Sequence, residues 1–114
     1  MTKKILTLLI CSLFLLSGCD NPTQKKPTIV STTGMINDIA KNIGGDAITP
    51  ISLMGPGIDP HLYKASAGDV QTLNNANLIL YNGLHLEAKM IDIFEKMNQK
   101  KPTIAISKNI PKNK

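Results

Sequence analysis

Apolar positions along this chain switch repeatedly between two spacings, and the switching predicts the order of its elements. After Met1-Thr2-Lys3-Lys4 an apolar run extends from Ile5 to Leu16. A short basic start before such a run is the form of a secretion signal, and the run is too short to span a bilayer comfortably as a permanent helix. Asp20 to Pro27 then has no apolar residue except its prolines and reads as an extended tether. Thr28-Ile29-Val30-Ser31-Thr32 is β-branched and apolar at its centre, which predicts a strand. Met35, Ile36, Ile39, Ala40 and Ile43 recur at helical spacing until Gly44-Gly45 ends the element.

Strand and helix continue in turn. Ala47 to Met54 predicts a second strand that stops at Gly55-Pro56-Gly57. Ser66-Ala67-Gly68-Asp69 has the form of a capping box with Asp in place of Glu, and Val70, Leu73 and Ala76 continue one helical face. Asn77-Leu78-Ile79-Leu80-Tyr81 is apolar on both faces, as a buried parallel strand is. Leu86, Met90, Ile93 or Phe94, and Met97 form a further helical stripe of ordinary core residues. Glu87 stands near its start, Lys96, Lys100 and Lys101 near its end, and Pro102 stops it. Thr103 to Ser107 predicts a fourth strand before Lys108 to Lys114.

This order implies an α/β fold, a parallel sheet with flanking helices joined by right-handed crossovers. In such sheets ligands bind beyond the carboxyl ends of the strands. His61 follows the second strand and His85 the third, so both belong to that one edge. Neither an internal repeat nor a second domain boundary is present.

Composition then narrows the chemistry. Leu16-Ser17-Gly18-Cys19 has the form of a lipobox, which predicts cleavage between Gly18 and Cys19 and acylation of the Cys19 thiol. An ordinary signal peptide with an incidental cysteine is the alternative. Since Cys11 would leave with residues 1–18, no thiol would remain for a disulfide or a thiolate metal site. Two acyl chains give stable attachment to a membrane surface, where one alone gives only marginal binding. All thirteen basic residues are lysines, and eleven of them would face eight acids after cleavage. With no arginine and no basic run longer than two, nucleic-acid binding has no positive support. The 96 residues left after cleavage suffice for one small domain with a thin core.

The candidate chemistry centres on Gly55-Pro56-Gly57-Ile58-Asp59-Pro60-His61-Leu62-Tyr63. Its prolines fix φ and its glycines allow positive φ, so His61 sits on a pre-organised turn, as a ligand does and as a surface or capping histidine also does. Together with Gly68-Asp69-Val70 and Asn77-Leu78-Ile79-Leu80-Tyr81-Asn82-Gly83-Leu84-His85-Leu86-Glu87-Ala88-Lys89-Met90, this stretch closely resembles the metal-binding lipoproteins of bacterial ABC transporters for zinc and manganese, the cluster A-I, TroA-like solute-binding proteins. The resemblance runs from about Ile29 to Pro111.

It implies a two-lobed, periplasmic-binding-protein-like fold of the helical-backbone metal-receptor kind, of which residues 28–114 would form an incomplete N-terminal lobe, after a signal peptide at 1–18 and a lipidated, disordered tether at 19–27. Family members hold a divalent cation between two lobes with nitrogen and oxygen ligands, two from each lobe. His61 matches the first of these, and the others would lie beyond Lys114. The resemblance implies a wall or supporting role for His85 before a direct ligand role. Asp59 is expected to accept backbone N–H bonds and orient the loop, and Tyr63 to pack with its hydroxyl at the cleft. Asp69 reads as a helix cap and Glu87 as a helix-start charge, neither with a site role. Imidazole and carboxylate ligands suit Zn or Mn, and also Fe.

The function so implied is capture of an extracytoplasmic zinc or manganese ion for an ABC transporter permease, by an exported monomer lipid-anchored on the periplasmic or outer-surface side of the bacterial cell membrane. No enzyme is expected, because the chain offers no P-loop lysine motif, no Gly-x-Ser-x-Gly elbow and no acid/base pair near His61. The rival expectations are a truncated remnant that holds metal weakly or not at all, since one or two imidazoles leave a cation most of its water, and a surface or cell-adhesion lipoprotein.

Overall fold

The computed structural model describes residues 25–111, so the expected signal peptide and Cys19 lie outside the described residues. Within them the chain runs β1 (Thr28–Ser31), α1 (Gly34–Gly44), β2 (Thr49–Ser52), α2 (Ala67–Asn75), β3 (Leu78–Tyr81), α3 (Ile91–Asn98) and β4 (Thr103–Ala105). The strands form one parallel sheet in the order β2-β1-β3-β4. This is the α/β architecture that the alternation of spacings predicts.

Strand order decides where the helices go. From β1 the chain steps to one side into β2, and the connections to β3 and then β4 step the other way. Right-handed crossovers therefore put α1 on one face and α2 and α3 on the other. Consistent with this, α1 lies over β1 and β2, while α2 packs against α3. The main core forms under α2 and α3, where Val30, Leu73, Ile79, Met90, Phe94 and Met97 are buried together. There the Tyr81 and Phe94 rings stack with centroids 4.3 Å apart, an arrangement that adds to their area burial.

The opposite face is only partly covered. Leu78 and Leu80 alternate with core residues along β3, and Leu80 pairs in register with Ile104 of β4, so these three side chains share the α1 face. They are half-buried. Only Ile36 of α1 is buried, while Met35, Ile39 and Ile43, which recur at the same helical spacing, are exposed.

Several element ends depart from expectation. Residues 45–47 form a 3₁₀ turn, so β2 begins at Thr49 rather than near Ala47. The third helix begins at Ile91 rather than Leu86, because Gly83, Leu84 and His85 take positive φ and Ala88–Met90 is 3₁₀. Lys101 does not serve its own helix: its Nζ donates to the carbonyls of Leu73, Asn74 and Ala76 at 3.2, 2.5 and 2.8 Å, closing the C-terminus of α2.

Candidate metal-binding edge

Loops beyond the carboxyl ends of the strands carry both histidines. After β2 the chain turns through Gly57 at φ 80°, and Asp59 then organises the residues up to Tyr63. Its carbonyl accepts from the amides of Leu62 and Tyr63. One carboxylate oxygen, Oδ1, accepts from the His61 amide at 3.0 Å and lies 3.0 Å from His61 Nδ1. Asp59 thus plays the orienting role expected of it. The His61 hydrogen bonds hold its carboxyl below the usual carboxylate range. A neutral imidazole that donates Nδ1–H to Asp59 leaves its Nε2 lone pair free, the arrangement in which an imidazole presents one nitrogen to a metal. Both side chains remain largely in solvent, at 65% and 54% exposure.

Tyr63 packs against the core, as expected, and its hydroxyl donates to Asp69 Oδ2 at the start of α2, at 2.8 Å. Burial, followed by the bond to Asp69, raises its pKa to about 12. The predicted capping box is present: Ser66 Oγ accepts from the Asp69 amide, and Asp69 Oδ2 accepts from the Ser66 amide at 2.7 Å. Burial pushes the Asp69 pKa up, but the bonds from Ser66 and Tyr63 outweigh it and leave it lowered.

On the other side of the edge, β3 runs into Asn82-Gly83-Leu84-His85. The Leu86 amide reaches back to the Gly83 carbonyl at 3.1 Å across Leu84 and His85, whose φ values are 51° and 65°. Two non-glycine residues in the left-handed region form a strained, mirror-image turn. Gly83, at φ 83°, could carry no side chain either, since a Cβ there would stand 2.6 Å from Ser107 Oγ.

Glu87 holds this turn, and its role differs from a helix-start charge. The residue is fully buried. Its Oε1 accepts from Thr32 Oγ1 and from the Asn82 amide, each at 2.7 Å, and Oε2 accepts from the Gly83 amide at 3.1 Å. The sequence carries a signal for this burial: Glu87, Met90, Phe94 and Met97 share one helical phase, and all four are buried. Heading the stripe with Leu86 misses that phase by one residue.

Of the cavities formed by the described residues, the one that His85 lines does not include His61. His85 lines a cavity of about 320 Å³ with Tyr81, Leu84, Ile91 and Lys108, on the β4 side. Another, of about 260 Å³, lies between the start of α1 and the loop before His61, lined by Thr33, Met35, Met54, Ile58 and Pro60 among others. Among the described residues no three His, Cys, Asp or Glu side chains gather as a metal site would require.

Residues 29–114 match the family model described as zinc-uptake complex component A, periplasmic. The chain is 43% identical over 119 residues to the manganese-binding lipoprotein MntA of Bacillus subtilis, covering all of this chain and 39% of that protein. It is 52% identical over 92 residues to the zinc-binding protein TroA of Treponema pallidum, covering 81% of this chain and 30% of that one. The solved structure of the latter superposes with a TM-score of 0.74 and 55% identity over 75% of this chain and 31% of its own. A manganese-bound periplasmic metal-binding protein from Candidatus Liberibacter asiaticus superposes with a TM-score of 0.68 at 34% identity, over 75% of this chain and 32% of its own. The chain thus spans between about three tenths and two fifths of the length of these relatives.

Proposed function

Because this chain belongs to the family of zinc-uptake complex component A periplasmic proteins, we propose that it supplies one metal-binding wall of an extracytoplasmic solute-binding lipoprotein, which captures zinc or manganese for an ABC transporter permease. The observation that carries this reading is His61 on its stiff turn, with Nδ1 tied to Asp59 and Nε2 free. Such a nitrogen contributes one ligand to a divalent cation, and the family's relatives are named for metal binding, so the role proposed is binding. His85, held on the β4 side, belongs to the wall. Lipid attachment through Cys19 would keep the protein at the membrane surface where a permease works, and the names of relatives such as the manganese-binding lipoprotein of B. subtilis support that placement.

A second reading, that these 114 residues alone hold metal too weakly to serve, is favoured by the absence of a three-ligand cluster among the described residues. A closed site takes about four protein ligands. One experiment addresses both. Mn²⁺ is added to the ¹⁵N-labelled chain and paramagnetic broadening is mapped residue by residue, with Zn²⁺ calorimetry beside it. Broadening centred on residues 59–63 and lost in His61→Ala supports the metal-binding wall, and the calorimetric affinity then separates a competent site from a weak one. Broadening that spreads over surface carboxylates and survives His61→Ala sinks the proposal.

A further inference from the structure

Hydrogen bonds cross the carboxyl edge of the sheet from one side to the other, and all of them meet near Glu87. At the β2 side the Met54 amide, next to the Gly55-Pro56-Gly57 turn, donates to the Thr32 carbonyl at 2.9 Å. Thr32 follows β1 and gives its hydroxyl proton to Glu87 Oε1, which also accepts from the Asn82 amide after β3. The Asn82 carbonyl in turn accepts from the hydroxyl and the amide of Ser107, beyond β4, at 2.5 and 3.2 Å. Four strand ends are joined in one belt. Its only side chain contributing an anion is Glu87, fully buried, with no Lys or His nitrogen in salt-bridge range among the described residues.

Burying an unpaired carboxylate is costly unless hydrogen bonds compensate, and here three neutral donors converge on it. Such a group is retained where its geometry is needed. The position is the topological switch point, between β1, whose chain leaves toward β2, and β3, whose chain leaves toward β4, and in open parallel sheets ligands bind there. Next to it, Leu84 and His85 keep a conformation that L side chains rarely adopt, and such strain persists only where surrounding contacts over-determine it.

We infer that Glu87 is the positioning residue of this edge. Its carboxylate draws the ends of β1 and β3 together, holds the Gly83–His85 turn left-handed, and through Thr32 and Met54 fixes the base of the loop that presents His61. It touches no ligand. The consequence for metal rests on the metal-binding role proposed for this chain, whereas the consequence for the turn does not.

The test uses the full ¹⁵N-labelled chain and compares Glu87→Gln, Glu87→Ala and Thr32→Val with wild type, with Leu73→Ala as a control for general loss of stability. Glutamine keeps the shape but turns an NH₂ toward at least one of the donors, so a folded variant is available even where alanine unfolds the chain. Expected for Glu87→Gln is faster amide exchange at Asn82 and Gly83 by about tenfold, the factor for one lost hydrogen bond. The strong intraresidue HN–Hα contacts that positive φ gives at Leu84 and His85 should weaken with it. Mn²⁺ broadening at residues 59–63 should need more metal in Glu87→Gln, but not in Leu73→Ala. Unchanged exchange and unchanged contacts at Leu84 and His85 overturn the inference, as does a uniform acceleration across all strands. If wild type shows no Mn²⁺ effect at residues 59–63, the metal-binding reading fails while the exchange and contact data still decide the role of Glu87.

Discussion

His61 contributes little to stability from where it stands, because most of its side chain is in solvent and its partner Asp59 is more than half exposed. His61→Ala should therefore shift unfolding free energy by no more than about 0.5 kcal/mol in a denaturant titration, which makes it a clean probe of binding. The contact with Asp59 does depend on pH. Because the folded pKa of Asp59 is lowered, whatever ordering it gives the loop is present above the ordinary carboxylate value of 3.8 and lost as pH falls through the lowered one. The Asp59 carboxyl carbon signal should accordingly titrate below the range of an unstructured aspartate in an NMR pH series. Leu84 offers the converse experiment. Its φ of 51° is paid for in strain and its side chain is 53% exposed, so Leu84→Gly should raise unfolding free energy by about 0.5 to 1 kcal/mol. At this scale the sequence displays His61 and Asp59 openly, since Pro, Gly and Asp around a histidine are local turn chemistry. Glu87 is hidden because its partner Thr32, 55 residues away, is brought to it by tertiary folding, and the nearby Asn82 and Gly83 amides reach it only through a left-handed turn.

Among the elements, α2 has the most legible start and the least legible end. Ser66 and Asp69 satisfy each other's backbone amides, as their spacing announces, and Ser66→Ala should cost about 1 kcal/mol by chemical denaturation. Tyr63 adds a longer-range support to the same cap. Since its folded pKa is raised to about 12 from 10.0, its contribution is complete below pH 10 and disappears as pH climbs through about 12. Phenolate absorbance should accordingly show one tyrosine ionising near pH 12 in the folded chain. The C-terminal closure by Lys101, 25 residues from Ala76, has no local signal at all. Periodicity located all three helices, yet it placed the start of α3 five residues early, because the left-handed turn at Gly83–His85 answers to Glu87 and Ser107 and not to the local preference of its residues.

For the whole molecule, the parallel sheet and its crossovers follow from alternation of spacing and the handedness of βαβ units, and both are general rules. Which face stays open does not follow, because spacing alone cannot tell an apolar stripe that is covered from one that is not. Leu73 and Ile43 illustrate the difference, at 0% and 83% exposure. Leu73→Ala should cost about 2 to 5 kcal/mol by thermal or urea unfolding, whereas Ile43→Lys should stay within about 0.5 kcal/mol and reduce dye binding by exposed apolar surface. The strand order carries one more consequence. β1 is the first strand made and yet an inner one, and it cannot be enclosed until β3 arrives, with Thr28 bonding to Asn77 across a separation of 49 residues. Closing so long a loop slows folding. A chain carrying the secretion signal expected from its first residues would have to stay pliant until it is across a translocation pore, and a sheet whose inner strand waits for β3 would build that delay into the topology itself.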